Sequence, residues 1–162
     1  MTVVQNAARI AVSPARLFAY VTTPANWPQW HPSSVRVTGD TDHPLLAGES
    51  CTEEFVVAGR SGACLWTVRE REPDARWVID TTTRGGYARI EYALEADGDG
   101  TRFTRTLQYR MPNVLLALLD VLVIRRRITR ESSLALQRLQ ARVEALVPEA
   151  ATAAGGGRLG PS

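Results

Sequence analysis

Four turn signals in the middle of the chain separate segments in which apolar and polar side chains alternate. The turns are Gly59-Arg60-Ser61-Gly62, Pro73-Asp74, Arg84-Gly85-Gly86-Tyr87 and Asp97-Gly98-Asp99-Gly100. Alternation with a period of two is typical of β-strands, and Gly-rich or Asp-Gly stretches between such segments are typical of hairpin turns. The pattern therefore predicts an antiparallel meander of five strands.

The simplest hairpin register gives every predicted strand one apolar and one polar face. It pairs Phe55 with Trp66, Trp66 with Thr81, Thr81 with Ile90 and Ile90 with Leu107, and it places Trp77, Leu94 and Phe103 in a second row. The opposite face, which includes Arg69 and Arg71, is polar almost throughout. One side of the sheet is therefore predicted to be covered and the other to face solvent.

Several polar side chains fall on the predicted covered face: Glu53, Thr81, Thr83, Tyr92, Arg105 and Tyr109. Tyr92 and Arg105 are cross-strand neighbours in this register, and Glu53 lies in the same row, four strands away from Arg105. A covered guanidinium needs a partner or water. Arg105 is either in an internal ion pair or at the rim, or it binds a carboxylate, phenolate or enolate oxygen in a cavity. The tyrosines are either core aromatics or ligand contacts.

The same register separates the two cysteines. It places Cys64 opposite Val57, six residues from Cys51, which corresponds to about 20 Å and is beyond disulfide reach. Free thiols suit a reducing compartment. Two histidines and two cysteines at unrelated spacings do not form a zinc motif, so we predict no metal and no cofactor.

Residues 26–34 (NWPQWHPSS) concentrate aromatic rings and prolines in a predicted region of short turns. This region follows a first strand (residues 2–12) and a helix that begins at Ser13-Pro14 and stops at Pro24. We expect Trp30 to point inward and Trp27 to fill the junction between helix and sheet. His31 is either an exposed loop histidine or a proton-transfer group that faces a ligand. His43 is expected to be exposed.

A long helical segment from Pro112-Asn113 to about Val147 is predicted to cover the apolar face of the sheet. Its apolar stripes are Leu115, Leu118, Leu119 and Leu122, then Leu136, Leu139, Val143 and Leu146. Asp120 interrupts the first stripe and is either exposed or directed into a cavity as an acid or base. The Leu115–Ile124 region is either a helix covered on two sides or a contact with a membrane surface, a second copy or another partner.

Charge and hydropathy exclude several classes of function. All nineteen basic residues are arginine, and the net charge is +2; the absence of lysine excludes Schiff-base lysine chemistry and a P-loop. Arginines alternate with acidic residues, and Arg125–Arg127 with Arg130 is interpreted as a solvated helix face. No nucleic-acid partner is predicted. Neither a signal peptide nor an apolar run of about 18 residues is visible, so a cytoplasmic protein is expected.

The order of these elements resembles the helix-grip superfamily, also called SRPBCC or START-related, and in particular its polyketide cyclase/dehydrase-like branch. The residues that carry the resemblance are Ser13-Pro14-Ala15-Arg16-Leu17-Phe18, Trp27-Pro28-Gln29-Trp30, Trp66-Thr67-Val68 with Pro73, Gly100-Thr101-Arg102-Phe103 and Leu136-Gln137-Arg138-Leu139. The resemblance implies an α+β helix-grip domain over residues 1–147, with about seven strands curved around a long C-terminal helix and two short helices between strands 1 and 2. It also implies a cavity for hydrophobic or amphipathic molecules. Residues 148–162 are predicted to be a disordered tail.

Two functions remain open at this point. The first is a cofactor-independent cyclase, aromatase or dehydratase that orients a reactive chain and assists with acid–base groups, for which the catalytic candidates are Arg105, His31 and Tyr92. The second is a lipid-, quinone- or metabolite-binding or transfer protein. The predicted ligand contacts are Trp30, Glu53, Phe55, Trp66, Trp77, Thr81, Ile90, Leu107, Tyr109, Leu119 and Asp120. A weaker third hypothesis is an interaction module that uses Leu115–Ile124.

Overall fold

The computed structural model describes residues 1–57, 59–83, 86–110 and 125–154. Its strands are β1 (Thr2–Ile10), β2 (Ser34–Gly39), β3 (Ser50–Val57), β4 (Arg60–Glu72), β5 (Arg76–Thr83), β6 (Gly86–Asp97) and β7 (Gly100–Arg110). Its helices are α1 (Pro14–Thr22), α2 (Trp27–Trp30) and α3 (Arg125–Ala154), and a short 3₁₀ turn (Pro24–Asn26) precedes α2.

The strands form one seven-stranded antiparallel sheet in the order β1-β7-β6-β5-β4-β3-β2. The helix α3 packs against β1 and α2, and α1 packs against β6 and β7. The largest core cluster joins side chains of α1, α2, α3 and one face of the sheet. The predicted meander and the helix-grip architecture are confirmed.

The predicted register is confirmed at the β6–β7 hairpin and wrong at the β3–β4 hairpin. Ile90 pairs with Leu107 as predicted, whereas Phe55 pairs with Gly62 and not with Trp66. The ladder already ends with Val57 paired to Arg60, where β4 begins, and Gly59 just before it has a φ of +79°. Gly62 leaves room for the Phe55 ring, because a Cβ on it would lie 2.8 Å from Phe55 Cζ.

The β5–β6 hairpin differs from the prediction by two residues. Thr81 pairs with Ala88 and not with Ile90, because the ladder continues to Thr83 and Gly86. Both register errors are even, so each side chain keeps its predicted face. Together they displace Glu53 by six residues from the row of Arg105, and the prediction that the two share a row is wrong.

A β-bulge interrupts the β4–β5 ladder between Val68 and Glu70. Before the bulge the predicted register is correct, because the observed pair of Thr67 with Asp80 belongs to the same register as the predicted pair of Trp66 with Thr81. Beyond it the faces of β4 are exchanged, because a bulge adds one residue to one strand only. Arg71, predicted on the solvent face, therefore turns inward, and its Cζ lies 5.4 Å from the Phe18 ring centroid.

The buried stripe of α3 agrees with the prediction through most of its length. The buried residues are Ile128, Ser132, Ala135, Leu136, Leu139 and Val143. Leu146, predicted to belong to this stripe, is 37% exposed. The described part of the helix runs to Ala154, seven residues beyond the predicted boundary at Val147. It passes through Pro148 although a proline there removes one helical hydrogen bond. The Leu115–Ile124 region, with Leu119 and Asp120, lies outside the described residues.

Candidate functional site

The covered face of β6 and β7 carries one polar cross-strand pair between apolar rows. In the row next to α1, Leu94 is 5% and Phe103 0% exposed. The next row pairs Tyr92 with Arg105, and the one after it pairs Ile90 with Leu107, which is half-buried. The polar pair therefore lies directly above a sealed apolar row.

Aromatic rings close the α1 end of this face. Tyr92 stacks on Trp77 with ring centroids 5.4 Å apart, and the Phe103 and Trp30 centroids lie 5.3 and 6.3 Å from that of Tyr92. Trp27 packs edge-on against Trp77 and donates its indole N–H to the Val21 carbonyl. Trp30 thus points inward and Trp27 fills the helix–sheet junction. We refer to the rings of Trp27, Trp30, Trp77, Tyr92 and Phe103 as the aromatic layer.

Arg105 is buried on this face, with 3% of its surface exposed. Its Nη1 donates a 2.9 Å hydrogen bond to Oγ of Ser132 on α3. Its Nε is buried and has no hydrogen-bond partner among the described residues, and none of the ion pairs within that part of the chain includes Arg105. A buried guanidinium with unused donor capacity is suited to bind an oxyanion or carbonyl oxygen.

Tyr92 lies opposite Arg105 in the ladder. Burial raises the pKa of its hydroxyl to about 12, although the charge of Arg105 and a hydrogen bond to it act in the opposite direction. The phenol is therefore neutral at physiological pH and can donate a hydrogen bond beside a permanent cation.

His31 follows α2 directly, and its backbone N–H donates to the Trp27 carbonyl at 2.8 Å. The side chain is partly exposed, but its Nδ1 is buried without a partner among the described residues. The ring lies edge-on to Trp30 at 5.5 Å. Burial and, to a smaller extent, the charge of Arg105 lower its pKa well below the usual value. The imidazole is therefore neutral at pH 7 and can accept a proton.

Glu53 lies on β3, on the other side of the covered face. Trp66 Nε1 donates a 2.7 Å hydrogen bond to its Oε2. Burial raises the pKa of the Glu53 carboxyl, and the Ser34 hydroxyl, the Trp66 N–H and the charge of Arg105 oppose that rise. Glu53 and Arg105 are thus close enough to interact electrostatically although they do not share a row.

The two cysteines flank Glu53. Cys64 pairs directly with Glu53, and Cys51 pairs with Trp66, so Cys64 is two residues from the position opposite Cys51. The predicted separation of about 20 Å is therefore wrong, because it followed from the displaced register. Both thiols are free, as predicted, and both are buried. Burial, with a smaller effect of the Glu53 charge, raises the pKa of each to about 12, which leaves little thiolate for nucleophilic chemistry.

Other candidate ligand contacts lie around these groups. Trp30 Nε1 and Thr81 Oγ1 are buried without hydrogen-bond partners among the described residues. Tyr109 and Ile90 are buried, and Phe55 and Leu107 are half-buried. The side chain of Thr83 is not described. The buried unpaired donors and hydroxyls could each bind a polar atom of a ligand.

Ser132, which contacts Arg105, was not predicted from the sequence. The sequence does contain an indication of its role. Ser132 lies four residues after Ile128 and four before Leu136, so it is a polar residue on the apolar face of the helix. His43 was expected to be exposed; its side chain is 37% exposed, with Nε2 2.9 Å from Glu49 Oε2. The arginines of the Arg125–Arg127 run and Arg130 are exposed.

Two classes of site are not found within the described ranges. No group of three or more His, Cys, Asp or Glu side chains is arranged to hold a metal ion. No helix in these ranges is long and apolar enough to cross a membrane.

Comparison with solved structures finds the same fold in distant proteins. The chain aligns with protein TTHA0849 from Thermus thermophilus with a TM-score of 0.73 and 16% identity, covering 90% of this chain and 99% of that one. For protein CV1439 from Chromobacterium violaceum the TM-score is 0.68 with 16% identity, and the coverage is 88% and 96%. For protein Ms6760 from Mycobacterium smegmatis the TM-score is 0.62 with 20% identity, and the coverage is 89% and 92%.

A search of curated protein sequences finds no significant match. A family model described as "Polyketide cyclase / dehydrase and lipid transport" matches residues 1–144, which is most of the chain. The resemblance inferred from the sequence motifs is therefore confirmed, and the chain belongs to the polyketide cyclase/dehydrase and lipid transport family.

Proposed function

We propose that the protein binds an amphipathic small molecule between the covered face of its sheet and α3, and that it acts on this molecule as a cofactor-independent cyclase, aromatase or dehydratase. The observation that carries the proposal is the buried Arg105, which has a free donor and lies beside the neutral phenol of Tyr92 and a neutral His31. A cation that stabilises an oxyanion and a base that is unprotonated at neutral pH are the two groups needed for enolisation.

The proposed first step is enolisation of a bound ketone. His31 accepts a proton from the carbon next to the carbonyl, the C–H electron pair forms the new C=C bond, and the carbonyl π pair moves to oxygen. Arg105 and Tyr92 donate hydrogen bonds to the resulting enolate oxygen. Because both donors are held in place before the reaction, little reorganisation is needed when the charge develops.

Ring closure and dehydration follow from the same groups. The enolate carbon attacks a second carbonyl of the same molecule, and the new alkoxide takes up the proton held by His31. In dehydration His31, free of its proton again, removes the neighbouring C–H proton, the C–H electron pair forms a C=C bond, and the C–O bond breaks so that the hydroxyl, protonated by an acid, leaves as water. Glu53 is suited to supply that proton because its raised pKa keeps the carboxyl protonated at higher pH than an ordinary glutamate.

Binding is tested with two probes that share an apolar body. Anilinonaphthalene sulfonate carries an anionic oxygen group, and phenylnaphthylamine does not. We expect Arg105→Gln to weaken the sulfonate at least about tenfold, as loss of a charge-assisted hydrogen bond predicts, and to leave the neutral probe nearly unchanged. Arg102→Gln is the matched control, since Arg102 lies on the same strand and is exposed. Equal losses for both probes would argue against an oxyanion site at Arg105.

Catalysis is tested with acetophenone in D₂O, because deuterium uptake at its methyl group reports enolisation without knowledge of the natural substrate. We expect the protein to accelerate uptake, and His31→Gln to reduce this acceleration about 10²-fold or more, the usual contribution of a general base. His43→Gln serves as the control histidine variant. Exchange that is no faster than in buffer, together with measurable probe binding, would favour the second function.

The second function is non-catalytic binding or transfer of a lipid, quinone or other metabolite. It is favoured by the half-buried apolar side chains of Phe55, Ala88 and Leu107 on the covered face, which offer apolar contact without chemistry. Native mass spectrometry of freshly purified protein tests it directly. A retained apolar molecule and no deuterium exchange would identify a carrier.

A further inference from the structure

One turn of α3 contacts three different parts of the molecule. Glu131 Oε2 accepts a 2.8 Å hydrogen bond from Ser33 Oγ, which follows α2. Ser132 Oγ accepts from Arg105 on β7 at 2.9 Å. Ser133 Oγ accepts from Asn6 Nδ2 on β1 at 3.1 Å. Three consecutive polar residues thus attach the helix to the segment after α2, to β7 and to the edge strand β1.

The Ser132 contact is the most deeply buried of the three. Ser132 is 2% and Arg105 3% exposed, and the buried residues one turn away on either side of Ser132 are Ile128 and Leu136. A buried hydroxyl in an apolar stripe costs free energy unless it is hydrogen-bonded, and bonds to a charged donor are the stronger ones. Because a guanidinium is planar, fixing Nη1 also restricts the direction in which Nε points.

The adjacent contact holds the segment that carries His31. Ser33 is two residues after His31 and binds Glu131, the neighbour of Ser132. The His31 ring packs on Trp30, Trp30 packs on Tyr92, and Tyr92 pairs with Arg105. The base and the cation of the candidate site are therefore both attached to the same helical turn.

We propose that Ser132 is a positioning residue that holds the Arg105 guanidinium beside His31, so that the docking of α3 sets the spacing between the cation and the base. This inference rests on the proposed function only for the chemical roles of Arg105 as the cation and His31 as the base. The positioning itself can be tested without any substrate.

The test is an NMR titration of the two histidine rings in the full chain. His31 is the reporter, because the charge of Arg105 on β7 acts on its ring. Of the other titratable groups nearby, Tyr92 on β6 packs on Trp30, the neighbour of His31, and Glu131 on α3 binds Ser33, two residues after it. His43, which pairs with Glu49 and Asp40, is the internal reference. The variants are Ser132→Ala, Arg105→Gln, their combination, and Ser133→Ala, which removes the neighbouring serine contact and leaves that of Arg105.

We expect Ser132→Ala and Arg105→Gln each to increase the proton affinity of His31 by about threefold or more, since a displaced or absent cation no longer disfavours the imidazolium. The double variant should equal Arg105→Gln alone, and Ser133→Ala should match the wild type. Ser132→Thr, which keeps a hydroxyl, should restore the wild-type midpoint. If the alanine variant does not fold, Ser132→Cys gives the same comparison with a weak acceptor of similar size.

Two results would overturn the inference. If Arg105→Gln raises the His31 midpoint and Ser132→Ala behaves like Ser133→Ala, Ser132 does not position the guanidinium. If neither variant changes the midpoint, Arg105 and His31 are not coupled. Failure of the proposed function would be seen in other measurements. If the probes did not bind or acetophenone did not exchange, the His31 titration midpoints of the variants would still be as expected here.

Discussion

The indole N–H of Trp66 and the carboxylate of Glu53, on neighbouring strands, form a 2.7 Å hydrogen bond on the covered face of the sheet. This bond satisfies one oxygen of a carboxyl group whose pKa is raised chiefly by burial. Burial of the charged form therefore outweighs the hydrogen bonds that favour it. A carboxylate in such surroundings reduces stability at neutral pH.

Glu53→Gln is expected to stabilise the protein at neutral pH. The amide oxygen can still accept the Trp66 N–H, and the buried charge is removed. Because the folded-state pKa is raised, the stabilising contribution of protonated Glu53 is present below the unfolded pKa and is lost as pH rises through the folded pKa. Each tenfold difference in proton affinity corresponds to about 1.4 kcal/mol. Urea unfolding should show the variant more stable at pH 7 and equal to the wild type near pH 4; the same difference at both values would contradict the assignment.

The two histidines should affect stability in opposite directions. The pKa of His31 is lowered in the folded protein, so as pH falls the imidazole is protonated in the unfolded chain before it is protonated in the folded one. Stability is therefore lost as pH falls below the unfolded pKa of about 6.5. The pKa of His43 is raised, chiefly by its hydrogen bond to Glu49. Its contribution is present below about 6.5 and is lost as pH rises through the folded value. Thermal unfolding between about pH 5 and 8 should become less sensitive to acid in His31→Gln and more sensitive in His43→Gln. Identical profiles for the two variants would exclude this opposition.

Tyr92→Phe should reduce function more than stability. The phenyl ring keeps the stacking on Trp77, and only the hydroxyl next to Arg105 is lost, which costs about 1–2 kcal/mol of unfolding free energy. If the hydroxyl stabilises an enolate, acetophenone exchange should fall about 10²-fold, as expected for one oxyanion donor. Exchange at the wild-type rate would remove Tyr92 from the proposed mechanism.

The packing of α3 against the sheet is tested by two leucines of that helix. Leu139 is fully buried and Leu134 is 40% exposed. We expect Leu139→Ala to lower the unfolding free energy by about 2–5 kcal/mol, and Leu134→Ala to change it by about 0.5 kcal/mol or less. Denaturant midpoints measured by circular dichroism would show the difference; comparable effects would mean that α3 does not pack as described.

The faces of the strands were predictable from the sequence, whereas the exact pairing was not. Alternation with a period of two identifies which side chains share a face, and it is unchanged by an even shift. The register errors of four residues at Phe55 and two residues at Thr81 therefore cannot be detected from the alternation of apolar and polar residues. Both arise because the strands stay paired as far as Val57 and Arg60 in one hairpin and Thr83 and Gly86 in the other, while the glycine-rich sequence suggested longer loops.

The candidate site was predictable in part for the same reason. Tyr92 and Arg105 belong to a hairpin with a turn whose length the sequence indicated correctly, and their pairing is confirmed. Arg71 was misplaced because nothing in the sequence marks the bulge before Glu70. Arg105 and Ser132 are 27 residues apart in sequence, and Ser132 could be suspected as a partner only because it is a serine within an apolar stripe.

The aromatic layer has a consequence for the direction of ligand entry. Because its rings close the α1 end of the covered face, a molecule bound at Arg105 under the proposed function would extend away from α1, past the half-buried Ala88 and Leu107. It would enter with its oxygen-bearing group first and its apolar part trailing toward the surface. The protein would then select ligands by their oxygen-bearing group. Ligands that differ only in the length of the apolar part should compete for one site with similar affinity.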